Sequence, residues 1–205
     1  MHLPLLYPIV NLPDFEDPLD YISRLFAYGI TFVQLRDKES EARLFSIAQQ
    51  AVKMANDLRE HDGTDRLVII NDSASVCRSA QAHGLHIGQG DIDPRRARSL
   101  IGPDKILGLS AHALEHAAKA PLDLIDYFGF GPIFPTATKV CSIEETGLPL
   151  LAEFCSLTTK PVVAIGGITA QTAQTVFEHG AKSLAVISAL AQADNLEAEI
   201  RKFDL

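Results

Sequence analysis

Pro161-Val162-Val163-Ala164-Ile165-Gly166-Gly167-Ile168-Thr169 is the stretch that decides the fold. Its first five residues carry no polar side chain, so a strand built from them has both faces buried, as in a parallel sheet. Gly166-Gly167 turns the chain, and Thr169 stands where a helix over 170–178 needs its N-cap. A doubly buried strand that runs straight into a helix is one unit of a strand–helix repeat.

The unit recurs in both directions along the chain. Apolar segments end near Val10, Leu35, Ile70, Ile87, Leu109, Phe130, Ile165 and Ile187, and Leu67-Val68-Ile69-Ile70 is as purely apolar as the opening stretch. Helical patterns cover 17–28, 39–60, 74–81, 94–100, 113–119, 148–156, 170–178 and 190–202. Ser40, Ser73 and Asp93 (before Pro94) suit N-caps, while Gly29, Gly84 and Gly180 fall where a helix wants a left-handed residue at its end. Eight alternating units predict a single α/β domain over residues 1–205, a (β/α)8 TIM barrel of eight parallel strands. A doubly wound open sheet is the alternative, weakened by the lack of a Gly-x-Gly-x-x-Gly turn.

Composition narrows the function. The chain has 205 residues, of which 47% are hydrophobic, enough for a sizeable core. No apolar run reaches the ~18–20 residues that span a bilayer. Residues 1–11 show neither a basic leader nor a small-residue cleavage site. The cysteines Cys77, Cys141 and Cys155 are odd in number and form no Cys-x-x-Cys pair, which points to reduced thiols and a cytoplasmic setting. A net charge of −8 argues against a nucleic-acid or membrane surface. Any anionic ligand must therefore meet a local cluster of cations.

In a (β/α)8 barrel the residues just past each strand share one face and carry the chemistry. After the second strand, Gln34, Arg36 and Lys38 alternate and can converge on a phosphate or pyrophosphate; the alternative is a solvated loop with an Arg36–Asp37 surface pair. Asn71-Asp72 follows the third strand and Gly88-Gln89-Gly90-Asp91 the fourth. Two carboxylates at neighbouring strand ends suit Mg²⁺, which keeps waters and phosphate oxygens as its other ligands. Either could instead cap a helix, Asp72 the one at 74–81 and Asp91 the one at Pro94. Gly88 and Gly90 would allow close approach of backbone to a ligand.

Ser110 could donate to a phosphate or cap the next helix, and no Gly-x-Ser-x-Gly elbow supports a serine nucleophile. His112 stays a minor suspect, and the other histidines lack metal spacing. Gly131-Pro132-Ile133-Phe134-Pro135-Thr136-Ala137-Thr138-Lys139 brings hydroxyls and an ammonium past the sixth strand. Gly166-Gly167 and Ile187-Ser188, past the seventh and eighth, are placed to hold a second phosphate on backbone amides. Two anion sites and one Mg²⁺ suit a group transfer with pyrophosphate departing.

The ordered set Gln34-Leu35-Arg36-Asp37-Lys38, Ile70-Asn71-Asp72, His86 to Asp91, Gly108 to His112, Gly129 to Lys139, Ala164 to Ile168 and Val186-Ile187-Ser188 closely resembles the thiamine phosphate synthase family. The resemblance implies a Mg²⁺-dependent transferase that joins hydroxymethylpyrimidine diphosphate to thiazole phosphate, or its carboxylated form, through dissociative loss of pyrophosphate. It assigns Gln34, Arg36, Lys38, Asn71, Ser110 and Lys139 to the pyrimidine diphosphate, with Arg36, Lys38, Ser110 and Lys139 catalytic. Asp72 and Asp91 bind Mg²⁺ on this reading. Thr136, Thr138, Gly167, Ile187 and Ser188, with Gly166 beside them, hold the thiazole phosphate, and the motif blocks add Leu35, Asp37 and Ala137 as substrate contacts. A homodimer is the family expectation; closure of the 136–147 loop over the ligands is expected from its position and length.

Departures from the pattern are few. Ser73 stands where an Arg often follows Asn-Asp, Gly90 replaces a larger residue, and Cys141 sits in an unusual 140–146 loop. Two alternatives share the barrel: a thiazole tautomerase, with a His resembling His112, and a non-catalytic thiazole-phosphate-binding regulator. Neither has use for the full set of cations and carboxylates.

Overall fold

The strands are buried along most of their length and open toward their carboxyl ends, and this positions everything that follows. In β1 (Leu6–Asn11), β2 (Phe32–Arg36) and β3 (Leu67–Asn71) the interior residues are buried and the last residue is half-buried. β4 (Gly84–Ile87), β6 (Tyr127–Phe130) and β8 (Ser183–Val186) are buried throughout, and β7 (Val162–Ile165) opens only at Ile165. In β5 (Ile106–Ala111) Ser110 is the half-buried residue near the carboxyl end. Buried apolar strands must satisfy their amides on neighbours of the same kind, which closes a parallel sheet on itself.

The computed structural model describes residues 3–136 and 145–203. Its strands run in the closed order β1 to β8, and the registers are parallel from β1 through β4 and from β5 through β8. The expected (β/α)8 barrel is thus present, and the open doubly wound sheet is excluded. The helices are α1 (Pro18–Ala27), α2 (Glu41–Asp62), α3 (Ala74–Ser79), α4 (Pro94–Ile101), α5 (Glu115–Lys119), α6 (Gly147–Leu157), α7 (Ala170–Glu178), α8 (Ser188–Ala191) and α9 (Leu196–Arg201). Among the described residues no helix is long and apolar enough to cross a membrane.

Contacts divide the chain into two compact units, Pro8–Leu107 and Met1–Tyr7 with Gly108–Leu205. In the first, α2 buries Leu44, Ala48, Ala51, Val52 and Ala55, a stripe at helical spacing. Ser40, Ser73 and Asp93 cap their helices as expected, with Asp93 Oδ1 accepting from the Arg95 amide at 2.9 Å. His83 ties strand starts together: its amide donates to Val68 O (2.9 Å), its Nδ1 accepts from Val68 N (3.0 Å), and its carbonyl accepts from Ile106 N (3.0 Å). Burial, with Lys105 and Arg59 adding to it, holds this imidazole below its ordinary pKa, as a neutral acceptor requires.

In the second unit the buried hydroxyls of Tyr7 and Tyr127 meet at 2.9 Å. Phe154 of α6 packs edge-on against Phe128 (5.2 Å between centroids) and stacks on Phe130 (4.3 Å).

Two sequence expectations need correction. Gly84 does not end a helix; Gln81 takes the left-handed turn after α3 (φ 55°), while Gly84 opens β4. Gly84 is glycine because a Cβ there would lie 2.6 Å from Ile106 O. The single helix expected over 190–202 is two, because Asn195 accepts from the Ala198 amide (3.0 Å) and starts α9 afresh. Gly29 and Gly180 do take left-handed conformations (φ 88° and 100°).

Candidate functional site

Within the Pro8–Leu107 unit, parallel register sets Asn11 of β1 opposite Arg36 of β2, and Asn71 of β3 opposite His86 of β4. Arg36 Nη1 donates to Asn11 Oδ1 at 2.6 Å, and Asn11 Nδ2 donates to Asp14 Oδ1 at 2.8 Å. Gln34, on the same strand face as Arg36, is only 2% exposed. Leu35 is wholly buried and its side chain belongs to the core.

The Arg36–Asp37 surface pair does not form, because both residues have other partners. Asp37 Oδ1 accepts from the Glu39 and Ser40 amides, each at 2.9 Å, and its Oδ2 accepts from Arg43 Nε at 2.5 Å. Burial alone would raise the Asp37 pKa, but the Arg43 bond and the two amides hold it below the usual value. Its carboxylate therefore fastens its own loop, leaving Arg36 and Lys38 on either side of a fixed point.

Lys38 Nζ donates to Asp72 Oδ2. Asp72 itself adopts a left-handed backbone (φ 62°), and its amide donates to His86 O at 2.8 Å. A non-glycine residue in that region is strained, and such strain gathers where a side chain must be aimed. Capping does not explain either carboxylate: Ser73 caps α3, Asp93 caps α4, and Asp91 Oδ2 instead accepts from the Gly88 amide at 2.7 Å. Gly88 serves that seat, since a Cβ on it would stand 3.0 Å from Asp91 Oδ2; Gly90 faces open space.

Asp72 and Asp91 share a hydrogen bond. Burial raises Asp72, the Asp91 carboxylate adds to the rise, and Lys38 opposes it. Asp91 also meets a burial penalty, yet the Asp72 bond, the Gly88 amide, Lys38 and His86 hold it low. Each carboxylate disfavours charge on the other, and a bound cation would relieve that repulsion. Among the described residues no cluster of three or more His, Cys, Asp or Glu forms a metal site. A pair of carboxylates is nonetheless the donor set that suits Mg²⁺, because substrate phosphates and waters complete its shell. The residues present fit that ion.

The Gly108–Leu205 segment holds the other candidates. Ser110 lies opposite Gly129 in the β5–β6 register. Past β6 the chain runs against the end of β7: Ile133 N donates to Ile165 O at 2.9 Å, and Phe134 N to Gly166 O at 3.1 Å. Gly166 and Gly167 both have positive φ (104° and 62°). A Cβ on Gly166 would lie 2.5 Å from Pro132 Cβ, and one on Gly167 would lie 2.5 Å from Pro135 O. The close approach that demands glycine here is that of the chain itself, which seats the segment leading to Thr136. Ile187 and Ser188 stand at the passage from β8 into α8. Ala137, Thr138, Lys139 and Cys141, with most of the 136–147 loop, lie outside the described residues. The His112 amide donates to His116 Nδ1 of α5 at 3.2 Å, and the two rings meet edge-on with centroids 4.4 Å apart.

Sequence reading passed over Asn11 and Asp14. The signal was available, since Asn11 is the polar residue that ends the first apolar strand, as Arg36 and Asn71 end theirs. It also passed over Glu41, whose Oε1 accepts from Ser73 Oγ (2.5 Å) and Ser75 Oγ (2.6 Å) beside Asp72.

A closed parallel barrel with cations and a carboxylate pair at its strand ends is the arrangement of a (β/α)8 enzyme and suits an anionic small molecule. The family model described as thiamine monophosphate synthase matches residues 6–190. The chain is 35% identical to the thiamine-phosphate synthase of Koribacter versatilis over 196 residues, 93% of this chain and 90% of that one. It is 38% identical to the thiamine-phosphate synthase of Azorhizobium caulinodans over 183 residues, 89% of this chain and 84% of that one. The thiamine phosphate pyrophosphorylase structure from Pyrococcus furiosus superposes with a TM-score of 0.83 at 28% identity, covering 97% of this chain and 93% of that one. The chain belongs to the thiamine monophosphate synthase family, a family of transferases.

Proposed function

We propose that this chain joins hydroxymethylpyrimidine diphosphate to thiazole phosphate, giving thiamine phosphate and pyrophosphate, as one catalytic domain; the carboxylated form of the thiazole would give the same products with its carboxyl group lost as CO2. The observation that carries the reading is the Lys38–Asp72–Asp91 group on a strained strand end, a set that a diphosphate and Mg²⁺ would both use.

On this reading Arg36 presents a planar fork of donors to the diphosphate, Lys38 leaves Asp72 to meet phosphate oxygens, and Gln34, Asn71 and Ser110 donate alongside them. The bond between the pyrimidine methylene carbon and the diphosphate oxygen breaks, and its electron pair leaves with the diphosphate. The thiazole nitrogen then supplies the pair for the new C–N bond. No protein nucleophile is needed. The side chains' task is to neutralise charge that grows on the leaving group. Asp72 and Asp91 would hold Mg²⁺, which when bound supplies further neutralisation there. The family resemblance assigns Thr136, Ala137, Thr138, Gly166, Gly167, Ile187 and Ser188 to the thiazole phosphate and Lys139 to the departing pyrophosphate. On family grounds alone the enzyme is a cytoplasmic homodimer.

Pyrophosphate release in the presence of both substrates and Mg²⁺ tests the reading. Chelator should abolish turnover and added Mg²⁺ restore it. Asp72→Ala and Arg36→Ala should each lower kcat/KM by about 100- to 1,000-fold with the thermal transition preserved. Turnover indifferent to chelator would remove the metal assignment. Interconversion of thiazole isomers without condensation would replace the synthase reading with the tautomerase.

A further inference from the structure

The guanidinium of Arg36 is held by a neighbour that is itself held. Asn11 has one acceptor and one donor end, and the two ends meet opposite kinds of partner: Oδ1 takes the Arg36 Nη1 proton at 2.6 Å, and Nδ2 gives a proton to Asp14 Oδ1 at 2.8 Å. Turning the amide over would set its NH2 against guanidinium donors and its oxygen against a carboxylate, so only one orientation satisfies both neighbours. Asp14 therefore fixes the Asn11 amide, and the Asn11 oxygen fixes Arg36. Each part is placed by backbone: Asn11 and Arg36 are cross-strand partners at the ends of β1 and β2, and Asp14 ends the short 3-10 turn Leu12–Asp14 three residues on. The contact occupies one guanidinium nitrogen and leaves the fork aimed by a short, stiff amide instead of a mobile ion pair.

We infer that Asn11 and Asp14 are positioning residues for Arg36, setting the orientation in which it meets the diphosphate. This rests on the function proposed above, in which Arg36 binds that group. Asn11→Leu keeps the branching at Cγ and removes the acceptor, and Asp14→Leu leaves the amide free to turn. A hydrogen bond to a charged group is worth about 1.5–3 kcal/mol, so Asn11→Leu should lower kcat/KM by about 10- to 100-fold.

The decisive arm is an exchange. Asn11→Asp alone sets two carboxylates against each other and weakens the relay, whereas Asn11→Asp combined with Asp14→Asn restores an acceptor toward Arg36 and a donor behind it. Steady-state kinetics of wild type, Asn11→Leu, Asn11→Asp and the double variant, with thermal unfolding of each, are the measurements. The expected result is a loss in both single variants and recovery in the double one to within about threefold of wild type, at unchanged unfolding temperature; a threefold change is about 0.65 kcal/mol. Wild-type kinetics in Asn11→Leu, or no recovery in a folded double variant, would overturn the inference. Absence of condensation by the wild type would instead overturn the function on which it rests.

Discussion

Gly166→Ala puts a number on how tightly the segment after β6 is seated. The added Cβ would lie 2.5 Å from Pro132 Cβ and 2.6 Å from Pro132 Cα, so one backbone must retreat by about 1 Å to reach ordinary carbon–carbon separation. Retreat breaks or stretches the bonds from Ile133 N to Ile165 O (2.9 Å) and from Phe134 N to Gly166 O (3.1 Å), each worth about 1 kcal/mol. Alanine at φ 104° adds about 1–3 kcal/mol of backbone strain. The total is about 3–5 kcal/mol. For a chain of this size that lowers the unfolding temperature by about 6–20 °C. Urea denaturation with linear extrapolation gives the stability directly, and Gly90→Ala serves as the control. Gly90 has no atom within 4 Å of the added methyl and no positive φ, so its substitution should be neutral or stabilise by up to about 1 kcal/mol. A Gly166→Ala loss below about 1 kcal/mol would refute the packing argument.

Two further outcomes follow from buried groups. Ser183 Oγ is buried and has no hydrogen-bond partner among the described residues, so Ser183→Ala should raise stability by about 1 kcal/mol in urea titration; a loss of that size would mean the hydroxyl is satisfied. Burial pushes the Cys77 thiol up to about 11, and because the folded state then binds its proton more tightly, this contribution is complete below about pH 9 and is lost as pH rises toward 11. Cys77→Ala should remove about 2–3 kcal/mol of the stability drop between those pH values, and an unchanged slope would exclude the thiol as its source.

The legible features were local in origin. Val162–Ile165 and Leu67-Val68-Ile69-Ile70 announce buried strands by composition alone, and Ser40, Ser73 and Asp93 act within three residues of themselves. Errors arose where meaning comes from across the fold. Gly84 resembles a helix terminator until the Ile106 carbonyl is set against it, and Asn11 means little until β1 pairs with β2 and brings Arg36 into reach. Asp91 and Asp93 both precede Pro94, and only geometry shows that one caps the helix while the other joins Asp72. Asn195 could have been read as a cap, since Asp194-Asn195 interrupts the helical pattern just before Leu196.

Asp37 carries a consequence for ligand binding. Its carboxylate is bonded to two amides and to Arg43, which fastens the turn between β2 and α2 from within. If Arg36 and Lys38 bind substrate as proposed, the conformational entropy of arranging them is lost once, on folding, and not again at each encounter. Affinity at this turn should depend on charge and salt far more than on temperature-driven loop ordering, and loosening it through Asp37→Asn would show as slower productive association before any change in the chemical step.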